Sequence, residues 1–326
     1  MKFKKKYVYF GVIIIVIAVV TMLYFHFLNF TPGKTEQKNI KAYSSWFVDR
    51  YGYLNYPLNR SVIRFHRDNI TQAQNSIISK IIYQSKYENI YGLLVLPKST
   101  SVLLPGVVLL PGAGVSKESE LPLAEKIAGL GTAVLTIDQR GVGETDGPVS
   151  NLDQDYASFI AGNDPFQHLL VYDALRAYDL LRSAPFVDPN NIIIVGESLG
   201  GRIAIIAAAI DPNIRGVLAI STSGFGFSGG NDSRKDAFIN SIDPDHYIGL
   251  ITPRKLVMMQ NLNDKIIDVN SALNSYSKAE NPKRFVLVND TGCNHGYCDS
   301  MYPNLVDSLD YLVGINPKID ASSTVK

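Results

Sequence analysis

Apolar and polar positions follow two different rhythms along this chain. Residues 7–28, from Tyr7 to Leu28, are almost wholly apolar. From Ser76 onward the pattern breaks into short segments. Ser76–Ser85 and Asn89–Leu96 alternate with period two and predict an antiparallel hairpin. Short apolar runs near 105–110, 132–137, 191–195, 214–220, 255–260 and 284–289 then predict strands. Between them, helical periodicity falls roughly at 116–130, 160–182, 199–210, 268–279 and 298–313. Strands alternating with helices predict an α/β domain over 76–315, with a mostly parallel central sheet and helices on both faces. There is no internal repeat and no low-complexity tract.

The first apolar segment is long enough to cross a bilayer, which takes about 20 residues. Signal-peptide cores are shorter, about 7–15 residues, and end at small residues. Here the run ends in Asn29-Phe30-Thr31-Pro32-Gly33, without a small-x-small site. It therefore predicts an uncleaved N-terminal transmembrane helix, with a cleaved signal as the alternative. Tyr7, Tyr9 and Tyr24 suit the interfacial belts. Residues 1–6, Met1-Lys2-Phe3-Lys4-Lys5-Lys6, form a basic tail that stays cytoplasmic by the positive-inside rule. Lys34, Lys38 and Lys41 on the far side weaken that bias. The expected organisation is a tail at 1–6, an anchor at 7–28, a membrane-proximal segment at 29–75, the domain at 76–315 and a C-terminal tail at 316–326. The domain is then expected on the extracytoplasmic side of the cell membrane, as a single-pass protein with the lipid bilayer as partner of 7–28. The segment 29–75 carries Trp46, Tyr51, Tyr53 and Tyr56, and is expected to pack on the domain rather than line its entrance.

Composition adds limits more than detail. Lysine plus arginine number 31 against 30 acids, for a formal net charge of +1. That balance suggests neither nucleic-acid binding nor strong electrostatic capture of a substrate. Two cysteines, Cys293 and Cys298, bracket His295. In an oxidising compartment they would close a small disulfide loop, and elsewhere they would remain thiols. Their tight spacing with His295 fits no common zinc pattern, so no metal is expected. Asn29, Asn59, Asn69, Asn231 and Asn289 stand in N-x-S/T sequons, only a modest excess over chance.

The chemistry concentrates at Gly196-Glu197-Ser198-Leu199-Gly200, between a strand run, Asn191–Val195, and a helix run, Gly201–Ala209. A G-x-S-x-G turn between strand and helix lifts a serine hydroxyl clear of the sheet and points a helix N-terminus at it. Ser198 is thus a candidate nucleophile, and needs a base. Of the five histidines, His295 follows the last strand, in Thr291-Gly292-Cys293-Asn294-His295-Gly296. His26, His66, His168 and His246 fall in the apolar segment, ahead of the main fold, in a helix and in a polar loop. The orienting acid should lie between serine and histidine in chain order. Asp264, in the loop after the 255–260 strand, is the first choice. Asp268 would cap the next helix, and Asp290 ends a strand. The small-residue loop Pro111-Gly112-Ala113-Gly114 offers backbone N–H groups to an oxyanion, with Ala113 and Leu199 the expected donors and Gly114 an alternative.

Together these residues resemble the α/β-hydrolase superfamily, and within it the dienelactone-hydrolase-like and prolyl-oligopeptidase-like serine hydrolases. The resemblance covers about Ile77 to Val313 and implies the α/β-hydrolase fold. Asp138-Gln139-Arg140-Gly141-Val142-Gly143-Glu144-Thr145 is similar to the D-x-R-G-x-G-x-S loop of such enzymes, with Thr145 replacing serine. That loop is expected to shape the site without moving a proton. Pro111 stands where many relatives have histidine, which bears on loop geometry and not on backbone donation.

The function this implies is ester hydrolysis through an acyl-enzyme, with Ser198, His295 and Asp264 as triad and no cofactor. A small-molecule ester or peptide is the expected partner, with no nucleic acid. A peptidase or amidase of prolyl-oligopeptidase type is the second reading, against which stands the short segment ahead of the domain. A surface binding protein that merely keeps the fold is the third. Substrate choice falls to Ser221–Pro253, too short for a large lid. Phe225 and Phe227 there are either acyl contacts or loop anchors.

Overall fold

The computed structural model describes residues 45–72, 75–98 and 103–315. The anchor expected at 7–28, the tails and the first part of the membrane-proximal segment lie outside them. Among the described residues no helix is long and apolar enough to cross a membrane.

Nine strands form the main sheet, in the order β11-β10-β9-β8-β6-β7-β5-β4-β3. In chain order these are β3 (Phe65–Gln72), β4 (Ser76–Gln84), β5 (Asn89–Pro97), β6 (Leu104–Leu110), β7 (Ala133–Ile137), β8 (Val187–Glu197), β9 (Gly216–Ile220), β10 (Lys255–Asn261) and β11 (Lys283–Val288). From β11 across to β7 all pairings are parallel, while β7, β5, β4 and β3 pair antiparallel. A separate two-stranded ribbon joins β1 (Phe47–Val48) and β2 (Leu54–Asn55). The helices are α1 (Lys117–Gly129), α2 (Leu152–Ile160), α3 (Phe166–Ser183), α4 (Leu199–Ile210), α5 (Ser233–Ile242), α6 (Pro244–Tyr247), α7 (Val269–Lys278) and α8 (Tyr302–Val313).

Successive side chains of a strand point to opposite faces, so a strand buried on both sides must be apolar throughout. β6 and β8 obey this. Val107, Leu109, Ile193 and Val195 pack with Leu123 and Ile127 of α1 and with Leu305 and Leu309 of α8. Their neighbours Val108, Leu110, Ile192 and Ile194 pack on the other face with Leu170 and Leu181 of α3 and Ile203 of α4. Each such burial contributes roughly 1.5–3 kcal/mol.

The pattern of strand connections fixes where a ligand can sit. The chain leaves β6 for β7 on one side, then returns to β8 on the other. The loops after β6 and β8 therefore diverge at a topological switch point, the crevice where open α/β sheets hold ligands. Those are the loops that carry Ala113 and Ser198.

Several elements differ from the sequence expectation. The sheet starts at Phe65, eleven residues before the predicted hairpin. β3 is an edge strand whose Phe65, His66, Arg67 and Asp68 are all exposed, so it carries no buried alternation. The helix predicted over 160–182 is α3, which starts only at Phe166, after Gly162-Asn163-Asp164-Pro165, and an unpredicted helix, α2, precedes that break. Proline fixes its own backbone and pushes the residue before it away from helical geometry. The stretch 231–253, whose length leaves room for a loop or one small helix, holds α5 and α6.

The described residues ahead of the predicted hairpin pack on the domain. The Leu54 N–H donates to the Tyr247 hydroxyl at 2.6 Å, and the Tyr56 hydroxyl to the His168 carbonyl at 3.0 Å. Trp46 meets the His168 ring edge-on at 4.9 Å. Arg60 is buried between Asp179 and Asp211, at 2.8 Å and 2.5 Å.

Candidate active site

Ser198 lies between β8 and α4, at the N-cap of α4, with φ 50° and ψ −113°, a positive-φ conformation unusual for a residue with a Cβ. Strain of this kind costs of order 1–3 kcal/mol and persists only where the surroundings hold it. Two tertiary bonds hold it here. The Ser198 N–H donates to the Ile220 carbonyl at 2.9 Å, and the Thr222 hydroxyl donates to the Ser198 carbonyl at 2.7 Å. The flanking glycines are required by close approach. A Cβ on Gly196 would overlap the Gly200 carbonyl, and one on Gly200 would overlap the Leu110 carbonyl.

Asp264 and His295 meet directly. His295 Nδ1 lies 2.9 Å and 3.0 Å from the two Asp264 oxygens. An ionised carboxylate only accepts, so Nδ1 carries the proton and Nε2 is left with its lone pair. Asp264 is fully buried at its side chain, and His295 is 24% exposed. Burial opposes the Asp264 charge, but it accepts the N–H groups of Ile267 and Ile266, both at 2.9 Å, and that of His295. These donors outweigh burial and hold its pKa below the ordinary carboxylate value. Asp268 instead caps α7 through the Asn270 N–H, and Asp290 accepts the Gly292 N–H at 2.8 Å.

No hydrogen bond joins Ser198 to His295. The His295 loop is instead brought toward the Ser198 turn by its backbone. The Ser221 hydroxyl donates to the Gly296 carbonyl at 3.2 Å, one residue from Thr222, which holds Ser198. The Lys265 N–H donates to the Asn294 carbonyl at 2.8 Å, tying the Asp264 loop to the His295 loop. Asn261, fully buried, donates to the carbonyls of Asp290 and Cys293 at 2.8 Å and 2.6 Å and accepts the Asp290 N–H.

A disulfide joins Cys293 and Cys298 across the same loop. Replacing both cysteines with serine should reduce stability by about 2 kcal/mol. Urea unfolding measures that loss, and amide exchange should rise first at residues 294–297.

Ala113 lies in the turn after β6, exposed, and its N–H makes no backbone hydrogen bond among the described residues. Leu199 is the first residue of α4, where the N–H has no partner within the helix. Gly112 sits against Ser198, its Cβ direction ending 3.7 Å from the serine Cβ. The loop is braced from behind. Gln139 Nε2 donates to the Pro111 carbonyl at 2.8 Å. Asp138 accepts the Lys117 N–H and ammonium at 2.8 Å and 2.7 Å, and the Glu144 N–H at 2.9 Å. Arg140 forks onto Asp173 at 2.7 Å and 2.8 Å, and Thr145 accepts the Tyr91 N–H. The 138–145 segment is therefore structural. Phe225 lies under the Arg202 guanidinium at 4.6 Å, with its N–H on Asp243, which makes it a loop anchor.

A strained serine at a strand-to-helix turn, on the switch point of this sheet, defines the α/β-hydrolase class. The sequence profile of the acetyl xylan esterase (AXE1) family matches residues 61–223, half of the chain. The chain belongs to that family, a family of carboxylic-ester hydrolases. It is similar to a putative hydrolase, YtaP, of Bacillus subtilis, 29% identical over 28% of this chain and 30% of that protein. The matches to curated relatives span about half of their length or less. An acetyl xylan esterase from Paenibacillus sp. R4 superposes with a TM-score of 0.64 at 19% identity, over 78% of this chain and 89% of its own. A putative dienelactone hydrolase from Klebsiella pneumoniae gives 0.55 at 13% identity, over 78% and 99%.

Proposed function

We propose that this chain is a serine esterase for short acyl groups, working through Ser198, His295 and Asp264. The observation that carries the reading is the buried Asp264–His295 pair, which leaves the Nε2 lone pair of His295 to serve as base for the strained Ser198. Ser198 attacks the ester carbonyl while His295 takes its proton, and the Leu199 and Ala113 N–H groups hold the oxyanion. His295 then returns the proton to the leaving alcohol, and water resolves the acyl-enzyme by the same route. The names of the relatives point to acetyl esters of carbohydrates.

The test is a panel of p-nitrophenyl esters from acetate to octanoate, beside peptide anilides. Acetate should give the highest kcat/KM. Faster cleavage of a peptide anilide than of any ester would move the peptidase reading to the front.

We also propose that residues 7–28 anchor the chain, with the domain outside the cytoplasm. The hydrophobic length of that segment and the disulfide support this, since disulfides persist in oxidising compartments. Protease digestion of intact cells should release the domain, and protection of the domain until lysis would refute the orientation.

A further inference from the structure

The end of β10 carries a buried amide that the triad reading leaves unused. Gln260 is only 1% exposed, and follows the buried apolar residues Val257, Met258 and Met259. Its Nε2 donates to Asp264 Oδ2 at 3.2 Å and to the Ile267 carbonyl at 2.9 Å. Its Oε1 has no hydrogen-bond partner. A buried acceptor left unpaired is costly, so a residue that only filled space here would be apolar like those before it. The two acceptors around the nitrogen fix which end of the amide faces the carboxylate. The reverse orientation would set oxygen against oxygen at both contacts.

The donors to Asp264 divide between its two oxygens. Oδ1 accepts the N–H groups of Ile266 and Ile267, which belong to its own loop. Those bonds shape the turn but do not place it against the sheet. Oδ2 lies 3.0 Å from His295 Nδ1, and among the described residues its one other donor is Gln260. Gln260 stands on β10, which pairs with β9 on one side and β11 on the other. Its amide therefore ties both the carboxylate and the far end of the turn, at Ile267, to a fixed strand. The next residue, Asn261, ties the His295 loop to the same strand end through the carbonyls of Asp290 and Cys293.

We propose that Gln260 is a positioning residue for the Asp264–His295 pair, its NH₂ group holding the Asp264 carboxylate in the orientation that meets His295 Nδ1. The proposal rests on the reading of Asp264 and His295 as acid and base. Without this donor the carboxylate can turn away from Nδ1, and the imidazolium formed during acyl transfer loses part of its stabilisation. Two carboxyl groups act on that imidazole, Asp264 and, at the end of β8, Glu197. A change at 260 touches only the first.

The experiment is the pH dependence of p-nitrophenyl acetate hydrolysis by the full-length chain, wild type and Gln260→Met, each also made with Asp264→Asn. Methionine is unbranched and cannot donate. Gln260→Met should lower kcat about tenfold with KM little changed. Weaker support of the imidazolium should also move the acid limb down by roughly half a pH unit. In the Asp264→Asn background the same change should cost no more than about twofold, because the group it acts through is already gone. Should Gln260→Met fail to fold, Gln260→Asn replaces it. That side chain stays polar, withdraws the donor by one methylene, and should shift the limb in the same direction. A structural role alone would scale the rate equally in both backgrounds and leave the limb unmoved, and that result would overturn the proposal. Fluorophosphonate labelling separates this from a failure of the triad reading. A labelled wild type with an unmoved limb in the variant removes only the role of Gln260, whereas an unlabelled wild type removes the triad reading with it.

Discussion

Replacing Ser198 with alanine is expected to lower kcat for ester hydrolysis by about 10⁶-fold, to the level left by substrate binding and the oxyanion donors. The side chain makes no hydrogen bond that the fold needs. The two bonds holding the turn use the backbone of Ser198, through Ile220 and Thr222, and both survive in the variant. Alanine accepts the strained φ no better than serine does, so the turn keeps its shape and stability changes little. Fluorophosphonate labelling of the full-length chain should vanish together with activity. Residual hydrolysis within tenfold of wild type, in a variant with unchanged unfolding, would show that the ester is cleaved elsewhere. The contrast with the flanking glycines sharpens the test. Gly200→Ala forces a Cβ into the Leu110 carbonyl and should damage folding as well as rate.

The parts of this fold that read clearly from the chain are those whose burial demands a pattern. β6 and β8 are buried on both faces, and their unbroken apolar runs follow from that. The serine turn is legible because three constraints coincide there: a strand before, a helix after, and glycines where backbones touch. β3 was hidden because its exposed Phe65, His66, Arg67 and Asp68 answer to hydrogen bonding along an edge and not to burial. The residues that assemble the site across the chain were also hidden. Asn261, Ser221, Thr222 and Gln139 act by bonding to backbone far away in sequence, and no local spacing encodes such a contact.

Asp264→Asn is expected to lower kcat by about 10⁴-fold while leaving the fold in place. Three acids compete for this role in sequence, and their surroundings separate them. Asp264 is buried against His295, whereas Asp268 and Asp290 satisfy nearby backbone N–H groups. An asparagine keeps an acceptor for the Ile266 and Ile267 amides. Its NH₂ group facing Nδ1 would favour the tautomer with the proton on Nε2, which cannot accept the serine proton. Asp268→Asn, by contrast, retains a good cap and should leave kcat within a few-fold of wild type. The acid side of the stability profile gives an independent reading. The folded Asp264 carboxyl titrates below its ordinary value, so its stabilising contribution is complete above the ordinary carboxylate range. That contribution is lost as pH falls through the lowered value. Wild type should therefore lose more stability on acidification than Asp264→Asn, measured by urea unfolding from neutral pH down to about pH 3. Equal acid sensitivity of the two proteins, or a comparable loss of kcat in Asp268→Asn, would remove Asp264 from the site.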